Sequence, residues 1–331
     1  MRSHYTIEGF GRYVPERVLT NRDLESMVDT SDEWIVSRTG IRERHIAAPG
    51  EAVSDMSLQA AKAALDDAGW SAEDLSHVYV CTLTPDAYCP PSACLLEEKL
   101  GIRGRTAMDV NAACSGFLYG LETARATLCL HPEAKVVLVA AESLSSRTNW
   151  ADRSTCVLFG DGAGGVVLST KEPKPGQASI VDVILKSDGS LGHLLTVKGG
   201  GSGWPLKLGD VVEENFFVQM AGQEVFKMAV RSMGSVCEEI LAVNGLTPGD
   251  VDLFVPHQAN LRIIEAVGKR LGLDNSKVMV TIDRYGNTSA SSIGIALAEA
   301  KAEGRTPRGG NVLLASFGGG FTWGAVLLRF A

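Results

Sequence analysis

At 331 residues, 45% of them hydrophobic and 21% charged, the chain has the composition of a globular protein and exceeds one ordinary hydrophobic core. A net charge of −8, from 31 Lys and Arg against 39 Asp and Glu, argues against general nucleic-acid binding. No apolar run approaches the ~20 residues of a membrane span. Seven cysteines without CxxC or metal spacing suit a reduced compartment rather than a disulfide scaffold or a metal centre.

The N-terminus, Met1-Arg2-Ser3-His4-Tyr5-Thr6, lacks the apolar stretch of a secretory signal, so a cytoplasmic location is expected. Apolar spacing predicts a helix over 58–68, closed by Gly69 and followed by a polar turn and a strand at 78–80. After the proline-containing segment from Thr84 to Ala93, Leu100-Gly101 precedes a strand that runs through Asp109-Val110-Asn111-Ala112-Ala113 to Cys114. A helix over 117–128 begins immediately after it. Cys114 therefore lies at a helix N-terminus, where free N–H groups and the helix dipole favour thiolate over thiol. The other reading of Cys114 is a small buried core cysteine.

Strands follow at 136–140 and 165–168. The glycines of Gly160-Asp161-Gly162-Ala163-Gly164-Gly165 run into a strand, not a helix, so they indicate tight backbone packing and not a dinucleotide loop. Lys171-Glu172-Pro173-Lys174-Pro175-Gly176 reads as a linker, and Gly199-Gly200-Gly201-Ser202-Gly203-Trp204 as an exposed loop or inserted flap. Helices are expected over 225–243 and 261–271, and strands at 253–256, 278–282, 312–315 and 325–328.

Two stretches match. Gly69, Asp74 and the strand at 78–80 recur as Gly245, Asp250 and the strand at 254–256, at an offset of 176 residues (245 − 69). The downstream order of strands and glycine-rich segments also repeats. The chain reads as a duplicated α/β unit, residues 1–175 and 176–331. The duplication gives three polar residues related places. Cys114 follows a strand in the first half and Asn287 holds the comparable place in the second. His257 ends a strand in Pro256-His257-Gln258-Ala259-Asn260. If the halves pack face to face, a thiol, an imidazole and an amide converge, which is equipment for acyl transfer through a thioester. Taken singly, His257 is also a satisfied strand-end histidine and Asn287 a turn or cap residue. The three glycines of Phe317-Gly318-Gly319-Gly320-Phe321-Thr322-Trp323-Gly324 would let backbone N–H groups approach a reacting oxygen, or form a tight turn.

With Cys114, Pro256–Asn260, Gly286-Asn287-Thr288-Ser289, Phe317–Gly324 and the run from Asp29 to Arg44, the whole chain resembles the β-ketoacyl-acyl-carrier-protein synthase III family, with the thiolase fold. The resemblance implies an α/β fold of duplicated βα halves in a layered αβαβα sandwich. It also implies an acyltransferase that initiates fatty-acid synthesis by condensing a short acyl-CoA, acetyl-CoA first among them, with malonyl-acyl-carrier protein. No metal or redox cofactor is implied. Cys114, His257 and Asn287 would be catalytic, the N–H groups of Cys114 and Gly319 an oxyanion hole, and Phe317 a neighbour of the malonyl carboxylate. Thr30, Trp34, Arg38, Arg153, Gly222, Phe226, Asn260 and Arg262 would hold coenzyme A, with adenine between Trp34 and Arg153.

A homodimer is implied as well. Arg262, Lys269 and Arg270 share a helix face that would meet an acidic carrier protein, or is simply solvated. The chain departs from the family pattern at Tyr88-Cys89-Pro90-Pro91, at Ser154 and in the long segment 199–216. The first leaves the primer open, with branched, longer or dicarboxylic acyl groups and secondary metabolism as alternatives; Ser154 bears on the adenine edge, and the long segment on the pocket entrance.

Overall fold

The computed structural model describes residues 4–212 and 214–331, so Met1 to Ser3 and Glu213 of the 199–216 segment lie outside the described residues. The first half contains β1 (Thr6–Tyr13), β2 (Arg17–Thr20), α1 (Asn21–Glu25), α2 (Asp32–Thr39), β3 (Glu43–Ile46) and α3 (Val53–Ala68). It continues with β4 (His77–Cys81), α4 (Ser92–Lys99), β5 (Thr106–Val110), α5 (Gly116–Leu130), β6 (Val136–Ser143), α6 (Arg153–Cys156) and β7 (Asp161–Ser169). The second half contains β8 (Ala178–Ser187), β9 (Leu195–Thr196), β10 (Gln219–Met220), α7 (Gly222–Val243), β11 (Val251–Pro256) and α8 (Leu261–Arg270). It ends with α9 (Ile282–Tyr285), α10 (Ser291–Ala302), β12 (Asn311–Gly318) and β13 (Thr322–Phe330).

The strands run in the order β11-β12-β13-β8-β1-β7-β6-β4-β5. Within each half the pattern is the same: a parallel pair, β4–β6 or β11–β12, then antiparallel neighbours β7 and β1, or β13 and β8. Within this sheet the strands of the two halves pair where Thr6 meets Ser179 and Ile7 meets Ala178.

Side-chain alternation along the strands makes the layers. Val137, Val139 and Ala141 face Met56, Ala60 and Ala64 of α3, whereas Leu138 and Ala140 face Phe117 and Leu121 of α5. In the second half Leu313 and Ala315 pack with Met233, Val236 and Ile240 of α7, while Val312 and Leu314 face inward with Ile293 and Leu297 of α10. The order is therefore α3 with α4, first-half strands, α5 with α10, second-half strands, α7 with α8. That is the expected αβαβα sandwich. No described helix is long and apolar enough to cross a membrane.

The repeat holds at atomic detail. Gly69 and Gly245 both take φ 68°, the left-handed conformation that glycine adopts without strain. Trp70 N–H donates to Leu65 O and Leu246 N–H to Leu241 O, again 176 apart. Ser71 with Asp74, and Thr247 with Asp250, form the same capping box. One expectation fails: residues 278–282 form no strand. Val278 makes a single bridge to Phe254, and Ile282 starts α9. The Gln258 side chain is the reason. Its Nε2 donates to Met279 O, and its Oε1 accepts from the N–H groups of Thr281 and Ile282, taking groups a ladder would need.

The 160–165 glycines do pack backbone on backbone. A Cβ on Gly164 would come 2.4 Å from Ile295 N and 2.5 Å from Gly294 C, so α10 rests directly on β7. Gly164→Ala is expected to destabilise the fold by about 3 kcal/mol or more. Gly189, with open space around its Cβ position, should tolerate alanine within about 0.5 kcal/mol. Denaturant unfolding of the two variants checks this.

Candidate active site

Cys114 is presented by the turn between β5 and α5, where Ala113–Ser115 form a short 3-10 turn. Ala113 takes φ 47°, a left-handed conformation that costs a non-glycine residue about 1 kcal/mol or more. The second half holds this turn. Ser316 Oγ donates to Cys114 O at 2.8 Å, and Thr322 Oγ1 donates to Ala112 O at 2.8 Å. Ser115 Oγ donates to Thr322 O at 3.0 Å. Gly318 lies against the turn so closely that a Cβ there would come 2.7 Å from Cys114 N and 2.9 Å from Cys114 Cβ.

A helix N-terminus alone does not make this residue a thiolate, contrary to the expectation from position. Burial pushes the Cys114 thiol up to about 11, against the opposing pull of the Ser289 hydroxyl and its own N–H, and nearby Glu142 adds to the rise.

His257 directly follows β11. Its N–H donates to Ala315 O at 2.8 Å, tying it to β12. Its Nδ1 lies 2.7 Å from Ser292 Oγ on α10. With Ser292 as donor, Nδ1 accepts and Nε2 carries the proton. Burial to 2% exposure pushes the imidazole down to about 3, so the ring is neutral at neutral pH. Asn287 is fixed by backbone: its N–H donates to Leu158 O at 2.8 Å and its O accepts from Gly160 N–H at 3.1 Å. Its Oδ1 accepts the Ser289 N–H at 2.9 Å, which sets the amide orientation and leaves Nδ2 for the cavity.

Cys114, His257 and Asn287 line one cavity of about 650 Å³, together with Phe317 and Gly319. Phe317 packs on Phe321, ring centroids 4.6 Å apart. Gly222, Phe226 and Asn260 line the same cavity. The other residues expected to hold coenzyme A do not line it. Trp34 and Arg153 meet directly, with the guanidinium 5.1 Å from the ring centroid, so a planar ring between them requires them to part. Arg153 Nη1 also donates to Asp29 O. Thr30 Oγ1 is buried with no hydrogen-bond partner among the described residues. Arg38 is exposed, and its O accepts from Asn260 Nδ2 at 3.1 Å. Arg262 lies 5.6 Å from the Phe226 ring. Asn260 and Phe226 thus connect the cavity to Arg38 and Arg262.

The basic face on α8 is smaller than its sequence suggests. Lys269 is exposed. Arg270, however, turns onto α7, where it makes a two-pronged pair with Glu238 at 2.8 Å and donates to Arg231 O. Its spacing suits the face, but a carboxylate on the neighbouring helix claims it.

Tyr88, from the unusual 84–93 segment, and Gly199 and Gly201, from the 199–216 segment, also line the cavity. The glycine run is therefore a flap over the site. Five residues carry no expectation from sequence yet position the site: Glu142, Ser289, Ser292, Ser316 and Thr322. Their signal in the sequence is weak. Glu142 is a charge in the otherwise apolar run of β6, and the four hydroxyl residues sit in small-residue stretches without periodicity.

Known proteins share this sequence and this fold. The family model described as 3-oxoacyl-[acyl-carrier-protein (ACP)] synthase III matches residues 108–189, and its C-terminal counterpart matches 241–330. A curated β-ketoacyl-[acyl-carrier-protein] synthase III of Nitratidesulfovibrio vulgaris is 58% identical over 331 residues, covering 100% of both chains. Among solved structures, the 3-oxoacyl-[acyl-carrier-protein] synthase III of Aquifex aeolicus is 46% identical, with a TM-score of 0.90 over 98% of this chain and 100% of that one. A priming β-ketosynthase of a polyketide biosynthetic pathway is 33% identical, with a TM-score of 0.89 over 99% and 97%.

The neutral imidazole has a consequence in pH. His257 binds its proton only near pH 3, whereas an unfolded histidine binds it near 6.5. Its contribution to stability is therefore complete above pH 6.5 and is lost as pH falls toward 3. In NMR, the His257 ring signals are expected not to titrate between pH 5 and 8. A midpoint near 6.5 would contradict the buried, neutral ring.

Proposed function

The chain belongs to the 3-oxoacyl-[acyl-carrier-protein] synthase III family, acyltransferase condensing enzymes of fatty-acid synthesis, and from that premise we propose that it primes the pathway through an acyl group carried on Cys114. An acyl-CoA, acetyl-CoA first among them, gives its acyl group to the Cys114 sulfur and coenzyme A leaves. Malonyl-acyl-carrier protein follows. Loss of carbon dioxide leaves an enolate whose oxygen is held by His257 Nε2–H and Asn287 Nδ2–H. The enolate carbon attacks the Cys114 thioester, the β-ketoacyl-carrier protein departs, and the thiol is restored.

The observation that carries this reading is the shared cavity. A thiol, a neutral imidazole and an oriented amide line one space together with Gly319 and Phe317. A neutral His257 suits it as a hydrogen-bond donor to a developing oxyanion. The N–H groups of Cys114 and Gly319 serve the acyl carbonyl in the same way. Decarboxylation itself supplies the carbanion, so no step is routed through a metal or redox cofactor.

In this reading coenzyme A runs from the cavity past Gly222, Phe226 and Asn260 to Arg262, Arg38, Thr30 and the Trp34–Arg153 pair. Arg262 and Lys269 receive an acidic carrier protein, and Arg270 helps only by shaping α8. The dividing point between the halves is set at 175/176, in the turn between β7 and β8. A homodimer through the sheet edge is part of the proposal, since β5 ends the sheet with its residues partly exposed.

A longer, branched or dicarboxylic primer is the second reading. Leu144, Leu158, Val225 and Met233 line the cavity and favour added methylenes. Arg147 lines it too, with a buried Nη1 that has no hydrogen-bond partner among the described residues, which favours a carboxylated primer.

Incubation with a panel of acyl-CoAs, followed by intact-protein and peptide mass spectrometry, tests both readings. The expected result is one acyl adduct on Cys114, formed fastest from acetyl-CoA and absent in Cys114→Ala. Condensing activity should fall to background in that variant, and full activity there would reject the mechanism. A strong preference for a branched, longer or carboxylated acyl group would replace acetyl-CoA with the second reading.

A further inference from the structure

One buried ionisable side chain has no part in the chemistry above. Glu142, on β6, has no exposed surface. Its Oε2 accepts hydrogen bonds from Thr84 Oγ1 at 2.7 Å and from Thr82 Oγ1 and Leu83 N–H, both at 3.1 Å. Its Oε1 accepts from Ser289 Oγ at 3.1 Å. The same Ser289 hydroxyl lies 3.5 Å from Cys114 Sγ.

A serine hydroxyl has one proton to donate. When Glu142 is ionised it can only accept, so in that state Ser289 gives its proton to Glu142 and turns a lone pair toward the sulfur. With the thiol protonated and the Ser289 proton committed to Glu142, the Cys114 S–H is the group left to donate across the 3.5 Å contact; once the sulfur is a thiolate, Ser289 can donate to it instead. The order S–H to O–H to carboxylate matches a donor to an acceptor at every step. The backbone holds Ser289 in place between them. The residue takes φ 51°, in the left-handed region, and its N–H is bound by Asn287 Oδ1. The titratable groups facing Glu142 are two thiols, Cys114 and Cys81, and among the described residues its charge is met by hydrogen bonds rather than by a cation.

We propose that Ser289 and Glu142 store the Cys114 proton during the catalytic cycle, a step that rests on Cys114 being the acyl carrier. As the sulfur attacks, its proton passes to Ser289 Oγ and the Ser289 proton passes to Glu142. Net charge is unchanged. The sulfur's electron pair forms the S–C bond to the acyl carbonyl. The C–S bond to coenzyme A breaks with its pair on the leaving sulfur, which takes a proton from water. Condensation later expels Cys114 as thiolate, and the proton stored on Glu142 returns through Ser289 to the sulfur.

Burial raises the Glu142 carboxyl to about 7, against the pull of its hydrogen-bond donors. That suits a group that must take up and release a proton near neutral pH. At rest the half-buried thiol keeps its proton, so transfer accompanies attack and does not precede it. Ser289 touches the reacting sulfur. Glu142 acts through Ser289 and is a positioning residue.

The test is the pH profile of Cys114 alkylation by iodoacetamide, read by mass spectrometry from pH 5.5 to 10. The unmodified protein is expected to react along a limb with its midpoint near 7, followed by a second rise as free thiolate forms. Ser289→Ala and Glu142→Gln should both lose the lower limb. At pH 7 their rates should fall by about 10²-fold, and the profiles should converge at high pH. A Ser289→Ala profile that superimposes on the unmodified one overturns the proposal. If Glu142→Gln does not fold, Ser289→Ala decides alone, since it leaves three donors on the carboxylate. Acyl-CoA adducts measured on the same samples separate the two claims. An adduct without the Ser289-dependent limb removes the proton store and keeps the function. No adduct on the unmodified protein at any pH removes both.

Discussion

The grip of one half of the molecule on the cysteine turn of the other is the contact on which the site depends. Ser316 and Thr322, on β12 and β13, donate hydrogen bonds into the backbone on either side of Cys114, and Gly318 closes to van der Waals distance of it. The strands themselves barely join the halves, because β1 and β8 share two residue pairs. The interface is built instead from α5 and α10, whose apolar faces are buried among strand residues of both halves. Burial in that shared core fixes the relative position of the strand ends. The strand ends fix the thiol, the imidazole and the amide.

Exclusion of water then sets the chemistry. In a buried setting the charged forms of isolated groups are costly, so the thiol keeps its proton and the imidazole stays neutral. Each state suits the proposed reaction: a neutral histidine donates to an oxyanion, and a thiol becomes nucleophilic only when its proton has somewhere to go. The two non-glycine residues with left-handed φ among the described residues are Ala113, beside Cys114, and Ser289, beside its sulfur. Strain of about 1–3 kcal/mol per residue persists where the surroundings fix a backbone. Here those surroundings are the opposing half and the Asn287 side chain.

Much of this is legible in the sequence. The 176-residue repeat, the layered α/β order and the three polar residues all follow from periodicity and motif, because duplicated helices and strands leave the same apolar spacing and the same Gly and Asp turn twice. What stays hidden depends on side chains that act across the fold. Nothing in the local pattern around 278–282 says that Gln258 will take its backbone groups, so an apolar β-branched stretch reads as a strand. Arg270 has the right spacing for a basic face, yet Glu238 on a different helix binds it. Helix position suggests a thiolate at Cys114, and only the buried surroundings reverse that. Glu142 and Ser289 lie 28 and 175 residues from Cys114 along the chain. Their relation to its sulfur exists only after the halves close.

The most direct test of this dependence is the acylation rate of Gly318→Ala. A methyl group there would meet Cys114 N at 2.7 Å, while the backbone conformation of Gly318 is open to alanine. The expected result is a folded protein, less stable by about 1–3 kcal/mol because the new methyl must push the Cys114 turn aside, whose rate of acyl transfer from acyl-CoA to Cys114 falls by about 10²-fold, the cost of displacing a reacting atom by about 1 Å. An unchanged acylation rate in a folded Gly318→Ala protein would contradict the claim that the second half positions the nucleophile of the first.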